Sequence, residues 1–415
     1  MRQMKDSGIA WVGEIPQEWD IQKNKYIFKI KKDIVLPNKS YQLLSLTTNG
    51  IREKDEDDCS GKVPENYDGY QIVRRNDLVM CLFDLDCSAV FSGISQYDGM
   101  ISPAYKILKI NNSISNERYY AYWFNYVSSK RYYKQYSKSL RYTLNADEFN
   151  RLFSPVPPLD EQKRIADFLD KECGKIDELK ADIQAQIDTL EQYKCSVITE
   201  AVTHGLNPDV SMKDSGIAWV GEFPMHWERE KGKYILTLLS RPIKQDDGVI
   251  TCFRDGEVTL RSNRREDGFT MADKEIGYQG IDIGDLVVHG MDGFAGAIGI
   301  SDSRGKASPV LNVLDTKQNK KYIMYYLRSM AYNDVFTSLS TGIRVRSCDL
   351  RWSKLAELLY PLPPIDEQKA IVQYIDEQLE KTSAVISDKK AQIDILDEYK
   401  KSLIYEYVTG KKEVI

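Results

Sequence analysis

Apolar residues recur every seven positions through Leu169, Ile176, Ile183, Leu190 and Val197, with Ile165, Leu179 and Tyr193 as partial partners of that stripe. A seven-residue repeat held over four heptads predicts a helix with a coiled-coil seam. After Leu159 the only helix-weakening residue before Gly205 is Gly174. A second stripe runs through Ile375, Leu379, Ile386, Ile393, Leu396 and Leu403 and stops near Gly410. Each helix should span about 40 residues, or ~60 Å at 1.5 Å per residue. A helix that long with one apolar stripe is unstable alone in water. The expected partner of each is the other, paired antiparallel, with globular domains at opposite ends of a rod. The alternative is two helices that each pack only on their own domain.

Elsewhere the pattern is shorter. Strand-like alternation marks 41–46, 77–83, 104–110, 249–253 and 285–289, and helical spacing of apolar residues marks 116–137 and 319–338. Each globular part therefore reads as α/β or α+β. The expected division is a first domain over 1–157, a helix over 158–204, a second domain over 205–363 and a second helix over 364–415.

The chain repeats itself. Met4-Lys5-Asp6-Ser7-Gly8-Ile9-Ala10-Trp11-Val12-Gly13-Glu14 returns as Met212 through Glu222, and Pro16 and Trp19 return as Pro224 and Trp227. Pro157-Pro158-Leu159-Asp160-Glu161-Gln162-Lys163 returns as Pro363-Pro364-Ile365-Asp366-Glu367-Gln368-Lys369. The prolines end the preceding structure, and the acids fall in the first helical turn, where the helix dipole favours them. Between these anchors only a skeleton persists: Asn76-Asp77-Leu78-Val79 against Gly284-Asp285-Leu286-Val287, and Ser102-Pro103 against Ser308-Pro309. The chain is thus a tandem duplication whose helical parts match and whose globular parts diverge.

Charge follows the same division. Of the net −5, the two helical segments carry −5 and −3, the first globular segment carries +3 and the second is neutral. The acidity sits in the helices, so the balance permits nucleic-acid binding without demanding it. Seven scattered cysteines with no Cys-x-x-Cys pair fit free thiols in a reducing cytoplasm. No apolar run approaches the ~20 residues of a membrane helix.

Catalytic patterns are missing. There is no Gly-x4-Gly-Lys-Ser/Thr phosphate loop and no Asn-Pro-Pro-aromatic or Asp-Pro-Pro-aromatic tetrapeptide. Only three histidines are present, too few to favour a zinc site or a hydrolytic triad. No catalytic residue, cofactor site or metal site is expected in this chain.

Binding candidates lie in loops where cations and amides could reach phosphates and base edges. In the first domain they are Thr47, Thr48, Asn49, Arg52 and Lys54; in the second, Arg254, Arg261, Ser262, Asn263, Arg264 and Arg265. Gly50 and Gly256 align these two loops, which could equally be solvated hairpins. A further pair of sites precedes each helix: Arg141 with Tyr142, and Arg344 with Arg346; salt bridges to the acidic helices would explain them as well. Arg74 and Arg75 are a weaker candidate. The Tyr119–Lys134 aromatic and basic stretch reads as core rather than as a stacking surface.

The Gly-Ile-Ala-Trp-Val-Gly-Glu-x-Pro-x-x-Trp opening of each half, the doubled Pro-Pro-Leu/Ile-Asp-Glu-Gln-Lys and the alternation of repeated and divergent regions resemble the DNA-specificity subunits of type I restriction–modification systems. The likeness spans essentially the whole chain. It implies two target-recognition domains that read a bipartite, asymmetric double-stranded DNA target. It implies that the repeated helices act as a spacer and docking platform for two adenine-N6 methyltransferase subunits, which motor–nuclease subunits then join. S-adenosylmethionine, ATP and Mg would belong to those partners. A coiled-coil scaffold that binds only proteins is the competing reading.

Overall fold

The computed structural model describes residues 2–36, 41–47, 50–54, 67–88, 91–264, 276–338 and 350–414. The chain divides into two compact units. One comprises Met1–Ile183 with Lys390–Ile415, and the other Gln184–Lys389.

In the first unit, a run of consecutive apolar residues, Leu78-Val79-Met80, forms an inner strand of a four-stranded antiparallel sheet. The strand order is Phe28–Lys31, Lys106–Ile110, Leu78–Met80, Ser92–Ile94. Such a run, rather than alternation, is what a sheet covered on both faces requires. Phe28, Leu78, Met80, Leu108 and Ile110 pack with Tyr119, Tyr120, Trp123, Phe124 and Val127 of the helix Glu117–Ser129. Val79 and Ile107 point the other way, onto Leu44, Leu46, Ile51, Val73 and Ile101. The aromatic helix is thus core, as its spacing predicts. It starts where the Asn116 side chain accepts a hydrogen bond from the Tyr119 amide (3.1 Å).

The second unit repeats this topology strand for strand, with sheet order Leu236–Leu238, Leu311–Thr316, Leu286–His289, Ile298–Ile300. Leu286, Val288 and Leu314 face the helix Lys320–Tyr332. Val287 and Val313 face Ile250, Cys252, Val258 and Ile281.

The two long helices are Leu159–His204 and Ile365–Val408. Within the first unit they run antiparallel: Lys400 Nζ lies 2.6 Å from Asp177, and Lys180 pairs with Asp397. Leu169, Cys173 and Ile176 join Leu403, Ile404 and Val408 in that unit's core. In the second unit Ile198, Ala201 and Val202 pack with Ile371, Val372 and Ile375. The seam departs from expectation at two positions. Leu179 and Tyr193 are 48% and 47% exposed. Successive seam residues alternate steps of four and three, so the partners of Leu169, Ile176 and Ile183 are Cys173, Lys180 and Ile187. Lys180 sits in the seam and sends its amine across to Asp397.

The repeated motifs meet in each unit. Trp19 is fully buried and its Nε1 donates to Glu161 (3.0 Å); Trp227 donates to Glu367 at the same distance. Gln162 accepts from the Asn116 amide (2.8 Å) and donates to the Ile114 and Pro157 carbonyls (both 2.8 Å). Gln368 does likewise with the Asn319 amide (3.0 Å), the Pro363 carbonyl (2.9 Å) and Gln318 (2.8 Å). The doubled Glu-Gln therefore bolts each helix start to its globular part. The helix ends dock in the same manner. Tyr119 Oη donates to the Val408 carbonyl (2.9 Å) and Tyr322 Oη to the Val202 carbonyl (3.2 Å). Gly410 follows at φ +70°, where a Cβ would stand 2.4 Å from Pro16 Cδ. No helix among the described residues is long and apolar enough to cross a membrane.

Candidate nucleic-acid interface

The first candidate loop is a hairpin of strands Leu44–Thr47 and Gly50–Glu53, paired Leu44↔Glu53 through Thr47↔Gly50. Leu44, Leu46 and Ile51 turn inward, which sends Arg52 to the outer face. Lys54 lies two residues further on, half-buried. Thr47 Oγ1 donates to the Gly50 carbonyl (2.8 Å) and tightens the turn, where Gly50 has φ +89°. Thr48 and Asn49 lie outside the described residues. Neither Arg52 nor Lys54 has a carboxylate partner within 4 Å among the described residues.

Arg74 and Arg75 sit on a separate turn, ahead of the sheet strand Leu78–Met80. Asp77 accepts the Arg74 amide (2.8 Å) and the Lys31 amine (2.7 Å), and Asp98 accepts the Arg75 amide (2.8 Å). This explains the Asp of the internal repeat. Its counterpart, Asp285, accepts the Asp282 amide (2.8 Å) and pairs with Arg241. The carboxylate caps a turn, and in the first unit it leaves both arginine side chains exposed. Arg141 and Tyr142 form a third loop, tied through their carbonyls to the Asp84 and Leu85 amides (3.2 and 3.3 Å). Arg141 is exposed, while Tyr142 is half-buried beneath Lys134 at 4.3 Å.

The equivalent hairpin of the second unit pairs Ile250–Cys252 with Val258–Leu260. Its cations are used differently. Arg254 pairs with Asp292 (2.9 Å). Arg264 pairs with Asp255 (2.7 Å) and Glu257 (3.2 Å), and lies over the Phe253 ring at 4.2 Å. Burial raises the Asp255 carboxyl, but the hydrogen bond to Arg264, the backbone hydrogen bonds and the Arg264 charge together outweigh it, and the group lies below its ordinary value. Asn263 donates to Thr259 Oγ1 (2.9 Å), and Ser262 is exposed. Arg261 approaches Thr251 Oγ1 at 3.4 Å. Arg265, Arg344 and Arg346 lie outside the described residues.

Sequence reasoning missed the supports of this hairpin. Arg328, on the aromatic helix, donates to the Asp255 carbonyl (2.8 Å) and to Tyr332 Oη (2.8 Å). Arg304 pairs with Asp247 (2.9 Å) and Asp282 (2.5 Å). Apart from Tyr332, one helical turn from Arg328, these partners lie 22 to 73 residues apart, beyond the reach of any local pattern. Among the described residues no group of three His, Cys, Asp or Glu side chains could hold a metal ion.

The chain is thus a duplicated two-unit protein with matching cores and unlike cationic hairpins. Residues 88–189 match the family described as "Type I restriction modification DNA specificity domain". The putative type I restriction enzyme MjaX specificity subunit of Methanocaldococcus jannaschii is 23% identical over 97% of this chain and 96% of its own length. The type I restriction enzyme MjaVIII specificity subunit of the same organism is 24% identical over 96% and 94%. A chain from a solved structure described as "Structural basis underlying complex assembly and conformational transition of the type I R-M system" has the same fold. It superposes with a TM-score of 0.66 at 12% identity, covering 96% of this chain and 99% of that one. Residues 88–189 thus match a type I restriction–modification DNA specificity domain, and the chain is similar over nearly its whole length to type I specificity subunits.

Proposed function

We propose that the chain is the non-catalytic, sequence-reading subunit of such a system. Each unit reads one half of a bipartite, asymmetric double-stranded DNA target. The two repeated helices set the spacing and dock two adenine-N6 methyltransferase subunits, through which motor–nuclease subunits join. S-adenosylmethionine, ATP and Mg serve the partners.

The observation that carries this reading is the contrast between the hairpins. Two identical topologies present Arg52 and Lys54 with no carboxylate partner among the described residues in one unit, and Arg254 and Arg264 held by carboxylates in the other. Two copies of one reader would favour a symmetric target; two unlike readers favour an asymmetric one. The competing scaffold reading has no such use for divergent loops on conserved cores.

The test is long-read mapping of modified adenine in cells that co-express the chain with the methyltransferase encoded beside it. A split motif modified on both strands, and lost without this chain, is the expected result. A soluble complex that leaves adenine unmodified would refute the reading. Modification by this chain alone would refute its non-catalytic role.

A further inference from the structure

At the end of the first long helix the second unit has an open groove of about 670 Å³, lined by Tyr193, Val197, Ala201, Leu206 and Tyr374, with Glu200 on its rim. The internal repeat identifies what is missing from it. In the first unit Phe168 and Tyr407 occupy the positions of Tyr374 and Ala201. There the Tyr407 ring packs against Phe168 with centroids 4.4 Å apart. The surroundings match: Ile165, Leu169, Leu403 and Val408 in one core correspond to Ile371, Ile375, Val197 and Val202 around the other.

A cation differs as well. In the first unit Lys412 pairs with Glu406 at 2.8 Å. The corresponding residues of the second unit are Leu206 and Glu200. The Glu200 side chain is 72% exposed, with the His204 ring 3.6 Å away. Replacing Tyr407 by Ala201 and Lys412 by Leu206 removes one aromatic ring and one ammonium group from the same place. Tyr374 and Leu206 are left 38% and 40% exposed.

We propose that this groove docks a protein partner that supplies both missing groups: an aromatic side chain beside a lysine or arginine. The charge of Glu200 selects the cation, and the vacancy above Ala201 and Tyr374 takes the ring. Resting on the function proposed above, the partner is a methyltransferase subunit. Its two docking platforms are then unequal: the second unit accepts an anchoring side chain where the first unit has filled the space with its own. Buried aromatic anchors in such pockets dominate interface affinity.

The test titrates the full chain with the purified methyltransferase subunit encoded beside it, by calorimetry and native mass spectrometry. The wild type should bind two copies in two steps. The double variant Ala201→Tyr with Leu206→Lys gives the second unit the first unit's residues and should weaken the tighter step at least tenfold. Because Ala201 is buried, the surface variant Glu200→Lys is an independent probe; it should weaken the same step, with reduced salt dependence. Unfolding midpoints equal to wild type establish that both variants fold. Two copies bound with wild-type affinities by both variants would overturn the proposal while leaving the proposed function intact. A wild-type chain that binds no methyltransferase would instead overturn that function. If the isolated chain self-associates, and the double variant abolishes this, the occupant is a second copy and the proposal fails.

Discussion

Replacing Gln162 by leucine tests whether the doubled Glu-Gln is a structural bolt. The side chain is wholly buried, and leucine nearly conserves its volume, so the packing loss is small. The loss falls on three main-chain groups: the Asn116 amide and the Ile114 and Pro157 carbonyls, each 2.8 Å from the Gln162 amide group. At about 1 kcal/mol for each bond removed, the expected destabilisation is about 3 kcal/mol, a large part of an ordinary domain's 5–15 kcal/mol. Gln368 is bonded to the Asn319 amide and the Pro363 carbonyl, but its third partner is the Gln318 side chain, which can turn toward water. Gln368→Leu should therefore cost less, about 2 kcal/mol. Gln184, whose amide reaches Asp188 on the surface, is the control, and Gln184→Leu should stay within about 0.5 kcal/mol. Urea unfolding gives the totals. Hydrogen exchange localises them: residues 114–119 should lose protection in the first variant and residues 317–322 in the second. A Gln162→Leu cost below about 1 kcal/mol, or equal loss of protection in both segments, would refute the assignment.

Gly410→Ala should destabilise by about 1–2 kcal/mol, because φ is +70° and the new Cβ meets Pro16 and Trp19. Gly174→Ala, with open space around it in mid-helix, should stabilise by about 0.5–1 kcal/mol; thermal unfolding compares the two. Burial holds His289 below its ordinary value of 6.5, against the opposing charge of Asp292, and its Nδ1 accepts the Met291 and Asp292 amides (3.2 and 3.0 Å). The unfolded chain therefore takes up the proton first, and stability present above pH 6.5 should fall as pH drops below it; His289→Gln should flatten that slope in urea unfolding. Arg52→Ala and Lys54→Ala should each lower the salt slope of DNA binding by about one counterion, whereas Arg264→Ala should instead raise hydrogen exchange across 253–257, where its partners lie. A seven-residue deletion within 183–189 should change the spacer of the modified motif or abolish modification; an unchanged motif at full activity would contradict the spacing role.

Periodicity made the cores legible. The heptads of the long helices, the double-faced run Leu78-Val79-Met80 and the aromatic spacing of Tyr119–Val127 each encode burial directly, and each element forms where its pattern lies. Periodicity failed where two spacings compete. Leu179 and Tyr193 carry seam-like side chains three residues after seam positions, but the seam steps by four there and exposes them. Loop chemistry was legible only as composition. Counting four arginines between Arg254 and Arg265 marks a basic loop. It does not reveal that Asp292, 38 residues away, neutralises Arg254, or that Arg264 folds back on Asp255 and Glu257. Charge in a sequence is additive, whereas free charge on a surface depends on contacts that only the fold brings together.

The internal repeat carries more information than either half. Residues that return unchanged are those that touch one another: Trp19 with Glu161, Trp227 with Glu367, Gln162 and Gln368 with the loops ahead of the aromatic helices. A joint of this kind cannot drift on one side without leaving a buried polar group unpaired, so both partners keep their identity. Residues that change between the halves are relieved of that constraint. The differing cations of the two hairpins, and Tyr407 against Ala201, stand on frameworks of the same strand order with equivalent cores. Each such difference is a natural substitution made within one molecule, with the opposite unit as its reference. The frame therefore sets where recognition can occur, and the differences between its two copies mark the positions free to set what each copy recognises.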